Sequence, residues 1–153
     1  MLDVAAGGGR HCRMFLAAGH GVVAVDRDVA KLAALGAGDR LEIIEADLEA
    51  GPWPFAGRPF AGVVVTNYLW RPILPAIVQA VAPGGALIYE TFAAGNERYG
   101  KPGNPDFLLR PGELLAAVED ELVVRAYEFL EEESPRPAVR QRIAAIRPPA
   151  PPG

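Results

Sequence analysis

The residues best suited to chemistry are three consecutive glycines at the end of an apolar N-terminal run. Residues 2–6 read Leu-Asp-Val-Ala-Ala, and Gly7, Gly8 and Gly9 follow before a segment with a helical pattern. A buried strand that ends in such a turn lets a ligand lie against backbone N–H groups, and the start of the next helix adds a partial positive charge. The pattern predicts a small-molecule cradle, although tight packing alone would also explain such a turn.

One known glycine pattern does not fit this turn. The dinucleotide fingerprint G-x-G-x-x-G, started at Gly7, needs its third glycine at position 12, where the chain has Cys12. This mismatch weighs against a nicotinamide dinucleotide as the ligand. We interpret Cys12, which falls in the first turns of the next predicted helix, as a small core residue rather than a nucleophile.

Polar side chains follow the next three predicted strands at the point where each strand ends. Asp26 ends the second strand, Asp47 the third and Asn67 the fourth. Because doubly wound sheets bind ligands outside the carboxyl ends of their strands, these side chains are candidate binding residues. Two alternatives stay open: Asp26 would also cap the following helix, and Asp47 would also fit an ordinary strand-ending turn.

The elements that position these residues alternate between strand and helix. Residues 22–25 form a continuous apolar run, which is typical of a strand buried on both faces in a parallel sheet. The alternation implies right-handed crossovers and an α/β fold with a doubly wound, mostly parallel, seven-stranded, Rossmann-like sheet. The predicted strands begin at Leu2 and then span 22–25, 41–46, 62–66, 86–90, 123–130 and 139–146, and the predicted helices span 10–18, 29–35, 73–81 and 111–118.

The last two predicted strands form an antiparallel hairpin. They alternate in part between apolar and polar residues, and the polar stretch 131–137 between them is interpreted as a solvated tip. A proline-rich tail follows at residues 148–153, so residues 1–147 are expected to form one domain.

A long irregular stretch, residues 92–110, separates the fifth strand from the last helix. It contains three glycines, two prolines and two asparagines with little periodicity. A loop of this length inside a compact domain is usually functional or disordered. Its aromatic and charged side chains favour a substrate-side lid, and we call residues 92–110 the lid segment. These side chains are Phe92, Arg98, Tyr99, Lys101 and Phe107.

The composition of the 153-residue chain argues against several classes of partner. A net charge of −4 gives no sign of a surface built for nucleic acid. One cysteine and two histidines predict neither a disulfide nor a metal site. No apolar run reaches the roughly 18 residues of a membrane span, and no signal-like segment opens the chain. We expect a cytoplasmic protein without a membrane partner, and the oligomeric state stays open.

Taken together, these motifs resemble the class I S-adenosylmethionine (SAM)-dependent methyltransferases. The family's first motif, acid-x-(Gly or Ala)-x-Gly-x-Gly, fits Asp3, Ala5, Gly7 and Gly9, with alanine in place of one glycine. The stretch Ala-Pro-Gly-Gly-Ala-Leu-Ile at 82–88 is similar to the family's turn into strand five. A closing antiparallel strand is also typical of this family, whereas NAD-dependent Rossmann sheets usually continue in parallel.

Two further points come from this resemblance. The stretches Glu-Thr-Phe at 90–92 and 108–114 look like small methyltransferases near the tellurite- and thiopurine-methylating branch. Family members usually carry upstream helices that cover the cofactor, and here the first predicted strand begins at Leu2. We therefore expect either a more open site or a protein that starts earlier.

The resemblance also implies roles for the glycine turn and the first acid. The first-motif residues Asp3, Ala5, Gly7 and Gly9 would bind SAM. Gly7 and Gly9 would contact its methionine part through their backbone, and Asp3 would orient the loop or the amino group.

The acids that end strands would hold the nucleoside. Asp26 would accept hydrogen bonds from both ribose hydroxyls, because a carboxylate offers paired acceptors. Asp47 and the backbone N–H of Leu48 would read the adenine edge, and Asn67 with Tyr68 would line the methyl side.

The implied reaction is in-line displacement of a methyl group, for which the protein mainly aligns the reactants and excludes water. It requires no dedicated catalytic residue, and none is assigned. Tyr68, Tyr99 or Glu90 are candidates for a base if the acceptor must lose a proton. Arg71 or Arg98 would pair with an anionic acceptor, although a solvent-facing charge is an equal alternative for each.

The sequence therefore favours a SAM-dependent methyltransferase that acts on a small molecule. A non-catalytic SAM- or nucleoside-binding domain is the first alternative. An NAD-dependent oxidoreductase is the second, supported by the sheet and Asp26 but opposed by Cys12 and the closing hairpin.

Overall fold

A single mixed sheet runs through the computed structural model, which describes residues 1–36 and 38–153. Its strands are β1 (Leu2–Val4), β2 (Val22–Asp26), β3 (Leu41–Glu45), β4 (Phe60–Thr66), β5 (Val81–Phe92), β6 (Val123–Glu132) and β7 (Ala138–Ile146). They lie in the order β3-β2-β1-β4-β5-β7-β6. Neighbours from β3 to β5 are parallel, and β7 is antiparallel to both β5 and β6. The predicted doubly wound sheet with a C-terminal hairpin is confirmed.

Short helices cover both faces of the sheet. They are α1 (Arg10–Ala17), α2 (Ala30–Ala33), α3 (Leu74–Gln79) and α4 (Glu113–Val118), with 3-10 turns at Arg71–Ile73, Asn96–Arg98 and Pro105–Phe107. Among the described residues, no helix combines the length and the apolar character that a membrane crossing requires.

Strand β2 is buried on both faces, as its apolar run predicts. In β2, Val23 and Val25 join the larger core, which lies under α3 and α4, while Val22 and Ala24 join a smaller cluster under α1 and α2. Cys12 belongs to the smaller cluster with no exposed surface, which confirms its interpretation as a core residue.

Two predicted boundaries are wrong. The helix expected over 73–81 ends at Gln79 and β5 begins at Val81, because Phe60 donates its backbone N–H to Ala80 O and pairs with Val81 across the ladder. Strand pairing thus starts before the Pro-Gly-Gly turn. The helix expected over 29–35 is only the four residues of α2, because the chain turns at Leu35 and Gly36 takes a φ of +83°.

The connection between β3 and β4 crosses the sheet without a helix. Three aromatic rings fill this space instead: Trp53 and Phe55 lie 5.2 Å apart edge to face, and Phe55 and Phe60 lie 5.5 Å apart. Such pairs are a favourable aromatic geometry. The connection begins with Asp47, so this packing holds the residues that follow β3 in place.

The lid segment is tied to the rest of the fold at several points. Ala93 forms a bridge with Leu109, which closes the segment on itself. The buried side chain of Asn96 donates to Pro102 O at 2.9 Å and accepts from the backbone N–H of Val139 at 3.1 Å. The lid segment is therefore an ordered part of the structure that joins β5 to the hairpin.

Candidate functional site

The glycine turn after β1 contains two glycines that are required for different reasons. Gly7 has a φ of +56° and Gly9 a φ of +80°, a left-handed region that favours glycine. A Cβ on Gly9 would lie 2.7 Å from Leu35 Cδ1 and 3.0 Å from Leu32 Cδ2, whereas a Cβ on Gly7 would meet nothing within 4 Å. Tight packing thus explains Gly9, while Gly7 faces open space where a ligand can approach the backbone.

The backbone conformation of Ala5 explains why the motif favours glycine at this position. Its φ is +54°, in the left-handed region. For a residue with a side chain this conformation costs roughly 1–2 kcal/mol. The alanine fits because the turn is fixed on both sides: Ala6 N–H donates to Val25 O at 3.0 Å, and Gly9 N–H donates to Ala6 O at 2.9 Å.

Asp3 lies beneath the turn, buried with 1% of its surface exposed. Its Oδ2 accepts from Cys12 Sγ at 3.2 Å. Burial raises the pKa of Asp3 above its ordinary value, more than the Cys12 hydrogen bond lowers it. Burial and the Asp3 charge raise the pKa of Cys12 to about 12, so the thiol stays protonated. Asp3 lines none of the cavities below, and its contacts agree with support of the loop.

Asp26 connects the end of β2 to the glycine turn. Its Oδ2 accepts from Gly7 N–H at 2.9 Å, and its Oδ1 accepts from Asp28 N–H at 3.0 Å. The alternative that Asp26 caps α2 does not hold, because Asp28 Oδ1 accepts from Ala30 N–H at 3.1 Å. A carboxylate has about four acceptor sites, so Asp26 keeps capacity for a ligand.

Asp47 takes part in a tight turn after β3. Its Oδ1 accepts from Glu49 N–H at 2.9 Å, and its carbonyl accepts from Gly51 N–H at 2.8 Å. The ordinary turn considered as an alternative is therefore present. Its second carboxylate oxygen makes no hydrogen bond with any described residue. The turn therefore fixes the position of Asp47 and leaves this oxygen available to accept a hydrogen bond from a ligand.

These ends of β1, β2 and β3 enclose a cavity of about 320 Å³, which we call the acidic cavity. Three carboxylates and one guanidinium line it, and so do four of the residues expected to bind a cofactor: Ala5, Asp26, Asp47 and Leu48. The remaining lining residues are Arg27, Ala46, Glu49, Tyr68 and Phe107. Arg27 and Glu49 are sequence neighbours of the predicted acids, a signal that would have found them.

A second cavity of about 260 Å³ adjoins the first, and we call it the bridging cavity. It shares Glu49, Tyr68 and Phe107 with the acidic cavity and adds Asn67. Asn67 ends β4 with a φ of +55°. Burial, then the nearby Glu49, raises the pKa of Tyr68 to about 12. The hydroxyl stays protonated at neutral pH, which argues against Tyr68 as a base.

A third cavity of about 630 Å³, the basic cavity, lies between the lid segment and the hairpin. It shares Phe92 with the bridging cavity, so the three cavities form one series from the glycine turn to the hairpin. Two lining residues were not predicted: Arg136, which lies in the hairpin tip interpreted as solvated, and Arg140, which lies in the last strand. The lining residues are Phe92, Asn96, Tyr99, Lys101, Glu132, Pro135, Arg136, Pro137, Ala138 and Arg140.

Arg140 joins the second and third cavities. Its Nη1 donates to Asn67 Oδ1 at 2.7 Å and lies 3.4 Å from Glu90 Oε1, and its guanidinium carbon lies 4.1 Å from the Phe92 ring centre. Glu90 is also 3.6 Å from the guanidinium of Arg142. Two ion pairs engage this carboxylate, which argues against Glu90 as a base.

The two arginines expected to meet an anionic acceptor are engaged elsewhere. Arg71 donates to Glu113 Oε1 at 2.6 Å, to Asp106 O at 2.8 Å and to Leu108 O at 2.7 Å. It therefore anchors the lid segment instead of facing a cavity, which corrects the expectation.

Arg98 pairs with Glu131 at 3.4 Å and lines none of the described cavities. The Tyr99 hydroxyl donates to the same carboxylate. Tyr99 does line the basic cavity, so it is the one of these two lid residues that the structure places at a candidate site.

The strand order and the reversed last strand define the fold of the SAM-dependent methyltransferases. A SAM-dependent methyltransferase from Mesorhizobium loti superimposes with a TM-score of 0.72 at 17% identity, over 95% of this chain and 89% of that chain. Burkholderia thailandensis 1,6-didemethyltoxoflavin-N1-methyltransferase, solved with its namesake ligand and S-adenosylhomocysteine, gives 0.71 at 18% identity, over 96% and 70%. The expected resemblance is confirmed at the level of the fold.

The same fold also occurs in a protein whose name describes a cyclase and not a methyltransferase. The [4+2]-cyclase SpnF superimposes with a TM-score of 0.71 at 15% identity, over 97% of this chain and 74% of that chain. No family model and no curated protein matches the sequence. Function therefore has to be argued from the site, because one fold hosts several chemistries.

Proposed function

We propose that this protein, within a domain of residues 1–147, is a SAM-dependent methyltransferase with a small-molecule acceptor. The observation that carries the proposal is the acidic cavity, where Asp26 and Asp47 from neighbouring strands meet beside the glycine turn. The series of cavities that leads away from it supplies room for a second substrate. The single cysteine, buried as Cys12, supports the expected cytoplasmic location.

The residues present suit SAM better than a dinucleotide. Asp26, Asp47 and Glu49 line the acidic cavity against the single cation Arg27. SAM carries a sulfonium and an ammonium group against one carboxylate, whereas a dinucleotide brings an anionic pyrophosphate. Carboxylates attract the former and repel the latter. The net negative charge of the cavity therefore favours SAM, whose net charge is positive, over NAD, whose net charge is negative.

Each end of SAM has residues suited to hold it. Asp26 binds the ribose hydroxyls with its remaining acceptor sites, and Asp47 with the Leu48 N–H reads the adenine. The start of α1 would bind the methionine part, since a helix N-terminus favours a carboxylate, and the open space beside Gly7 lets that part approach although the Gly7 N–H is bonded to Asp26. Asn67 and Tyr68 then lie on the side of the methyl group.

The chain's contribution to the reaction is alignment and exclusion of water. When bound, SAM supplies an electrophilic methyl group that passes to a nucleophilic atom of the acceptor and leaves S-adenosylhomocysteine. Tyr68, Asn67 and Phe107, which line the bridging cavity, would surround that position, where the protonated tyrosine hydroxyl donates a hydrogen bond and accepts no proton. The residues thereby favour an acceptor that is already nucleophilic.

The test is isothermal titration of the full chain with SAM, S-adenosylhomocysteine and NAD. We expect binding of the SAM pair alone, and about tenfold or greater weakening in Asp26→Asn, because charge-assisted hydrogen bonds to the ribose are lost. Asp120→Asn is the matched control, since Asp120 makes no side-chain hydrogen bond or ion pair within the described part of the chain. Absence of SAM binding by the unaltered chain would overturn the proposal.

A further inference from the structure

The volume of the basic cavity and the parts of the chain that line it are those of a ligand site. Its volume of about 630 Å³ lies in the range of small-molecule sites. Its walls come from the lid segment, from the hairpin tip and from β7, so it exists only when these three parts are assembled.

The charge of this cavity opposes the charge of the whole chain. Lys101, Arg136 and Arg140 line it against the single carboxylate of Glu132, in a protein with a net charge of −4. Local charge of this kind draws an oppositely charged ligand.

Two of the three cations are free to bind a ligand. Arg140 lies 3.4 Å from Glu90 and 3.4 Å from Glu132. Lys101 and Arg136 have no carboxylate within 4.0 Å in the ranges 1–36 and 38–153. An anionic group between them would gain charge-assisted hydrogen bonds without breaking an existing ion pair.

Aromatic and proline side chains form the rest of the wall. The rings of Phe92 and Tyr99 come from one side, and Pro135 and Pro137 come from the hairpin tip. Flat apolar surfaces of this kind suit a planar ligand body. The cavity therefore combines an anion site with apolar walls.

The basic cavity also leads toward the proposed methyl position. Phe92 lines both it and the bridging cavity, and Arg140 reaches from its wall to Asn67 Oδ1 at 2.7 Å. A ligand held by its anionic end near Lys101 and Arg136 would extend past Phe92 toward Asn67.

We propose that the methyl acceptor is a small planar carboxylate whose carboxylate group is bound by Lys101 and Arg136. This inference rests on the proposed function, which it narrows to a substrate class. The acceptor's apolar body lies against Phe92 and Tyr99, and its nucleophilic atom faces the bridging cavity.

The experiment measures binding of aromatic carboxylates, each paired with its neutral primary amide, to the full chain saturated with S-adenosylhomocysteine. The first pair is 4-hydroxybenzoate and 4-hydroxybenzamide. We expect the carboxylates to bind at least about tenfold more tightly than their amides, and the Lys101→Gln plus Arg136→Gln double variant to lose this preference. Arg125→Gln is the control, since Arg125 is exposed and makes no ion pair among the described residues.

The S-adenosylhomocysteine titration separates the two proposals. The double variant should bind S-adenosylhomocysteine within about twofold of the unaltered chain, which shows that it is folded. If that ligand binds but the carboxylates bind no better than the amides, or the double variant keeps the preference, the inference is overturned and the proposed function stands. If S-adenosylhomocysteine does not bind the unaltered chain, both are overturned.

Discussion

The acidic and basic cavities are built in opposite ways. Asp26 is the last residue of β2 and Asp47 comes two residues after β3, and each accepts a hydrogen bond from the backbone N–H two residues further on. Lys101 and Arg136, 35 positions apart in the chain, line one cavity because the lid segment and the hairpin tip come together there. The proposed cofactor side is thus a local property of short strand ends, whereas the proposed acceptor side is a property of the assembled tertiary structure.

The two sides also differ in what stabilises them. Backbone hydrogen bonds and one buried carboxylate support the glycine turn. Side-chain contacts support the lid segment: the guanidinium of Arg71 binds Glu113 and the carbonyls of Asp106 and Leu108, and Asn96 adds bonds to the hairpin. Substitutions on one side should therefore leave the stability of the other side largely unchanged.

The largest expected effect is the loss of stability on substitution of Arg71, which should affect the lid segment more than the glycine turn. Arg71→Ala leaves Glu113 partly buried without its partner and should lower the free energy of unfolding by about 2–3 kcal/mol. Urea denaturation measures the loss, and hydrogen exchange should show faster exchange in the lid segment than in the glycine turn. Arg58→Ala is the control, because its ion pair with Glu42 is about half exposed and such pairs contribute about 0–1 kcal/mol. Equal losses in the two variants would show that burial of the pair does not matter.

A smaller effect distinguishes the two glycines within the cofactor side. Gly9→Ala meets both an unfavourable φ and contact with Leu35 and Leu32, so we expect a loss of about 2 kcal/mol in stability. Gly7→Ala meets the unfavourable φ alone, so about 1 kcal/mol is expected. SAM affinity should show the reverse order, with Gly7→Ala the weaker binder. A larger stability loss in Gly7→Ala would contradict the packing role assigned to Gly9.

The smallest expected effect is that Asp3 and Glu113 contribute to stability with opposite dependence on pH. Burial raises the pKa of Asp3, so its charge destabilises the fold increasingly as pH rises from the unfolded pKa through the raised folded pKa. For Glu113, burial acts in the same direction, but hydrogen bonds from Arg71 and Arg110 outweigh it and lower the pKa. Its stabilisation is present above the unfolded pKa and lost as pH falls through the lowered folded pKa.

Denaturation of Asp3→Asn and Glu113→Gln between pH 3 and pH 8 measures this difference. Relative to the unaltered chain, Asp3→Asn should gain stability as pH rises, and Glu113→Gln should lose it, each on the order of 1 kcal/mol per unit of pKa shift. Parallel curves for the two variants would contradict the contrast.

The sequence was informative where structure is local. The apolar runs predict the sheet, and the residues that end them identify Asp26 and Asp47 as the acids that line one cavity. The predicted start of β5, at residue 86, was wrong because the pairing of Phe60 with Val81 is a contact between residues far apart in sequence.

The acceptor side shows the limit of such prediction. The partner of Arg71 lies 42 residues away at Glu113, so no local pattern reveals that its guanidinium is occupied. Arg136 lies in the hairpin tip, which the sequence presents as solvated, and only the register of β7 against β5 brings Arg140 opposite Phe92.

Arg140 gives the two sides a means of communication. Its guanidinium hydrogen bonds to Asn67 and lies over Phe92, so a ligand on either side changes the surroundings of one shared side chain. By thermodynamic reciprocity, the factor by which an acceptor alters affinity for the cofactor equals the factor by which the cofactor alters affinity for the acceptor. We therefore expect the proposed cofactor and the proposed acceptor to bind cooperatively.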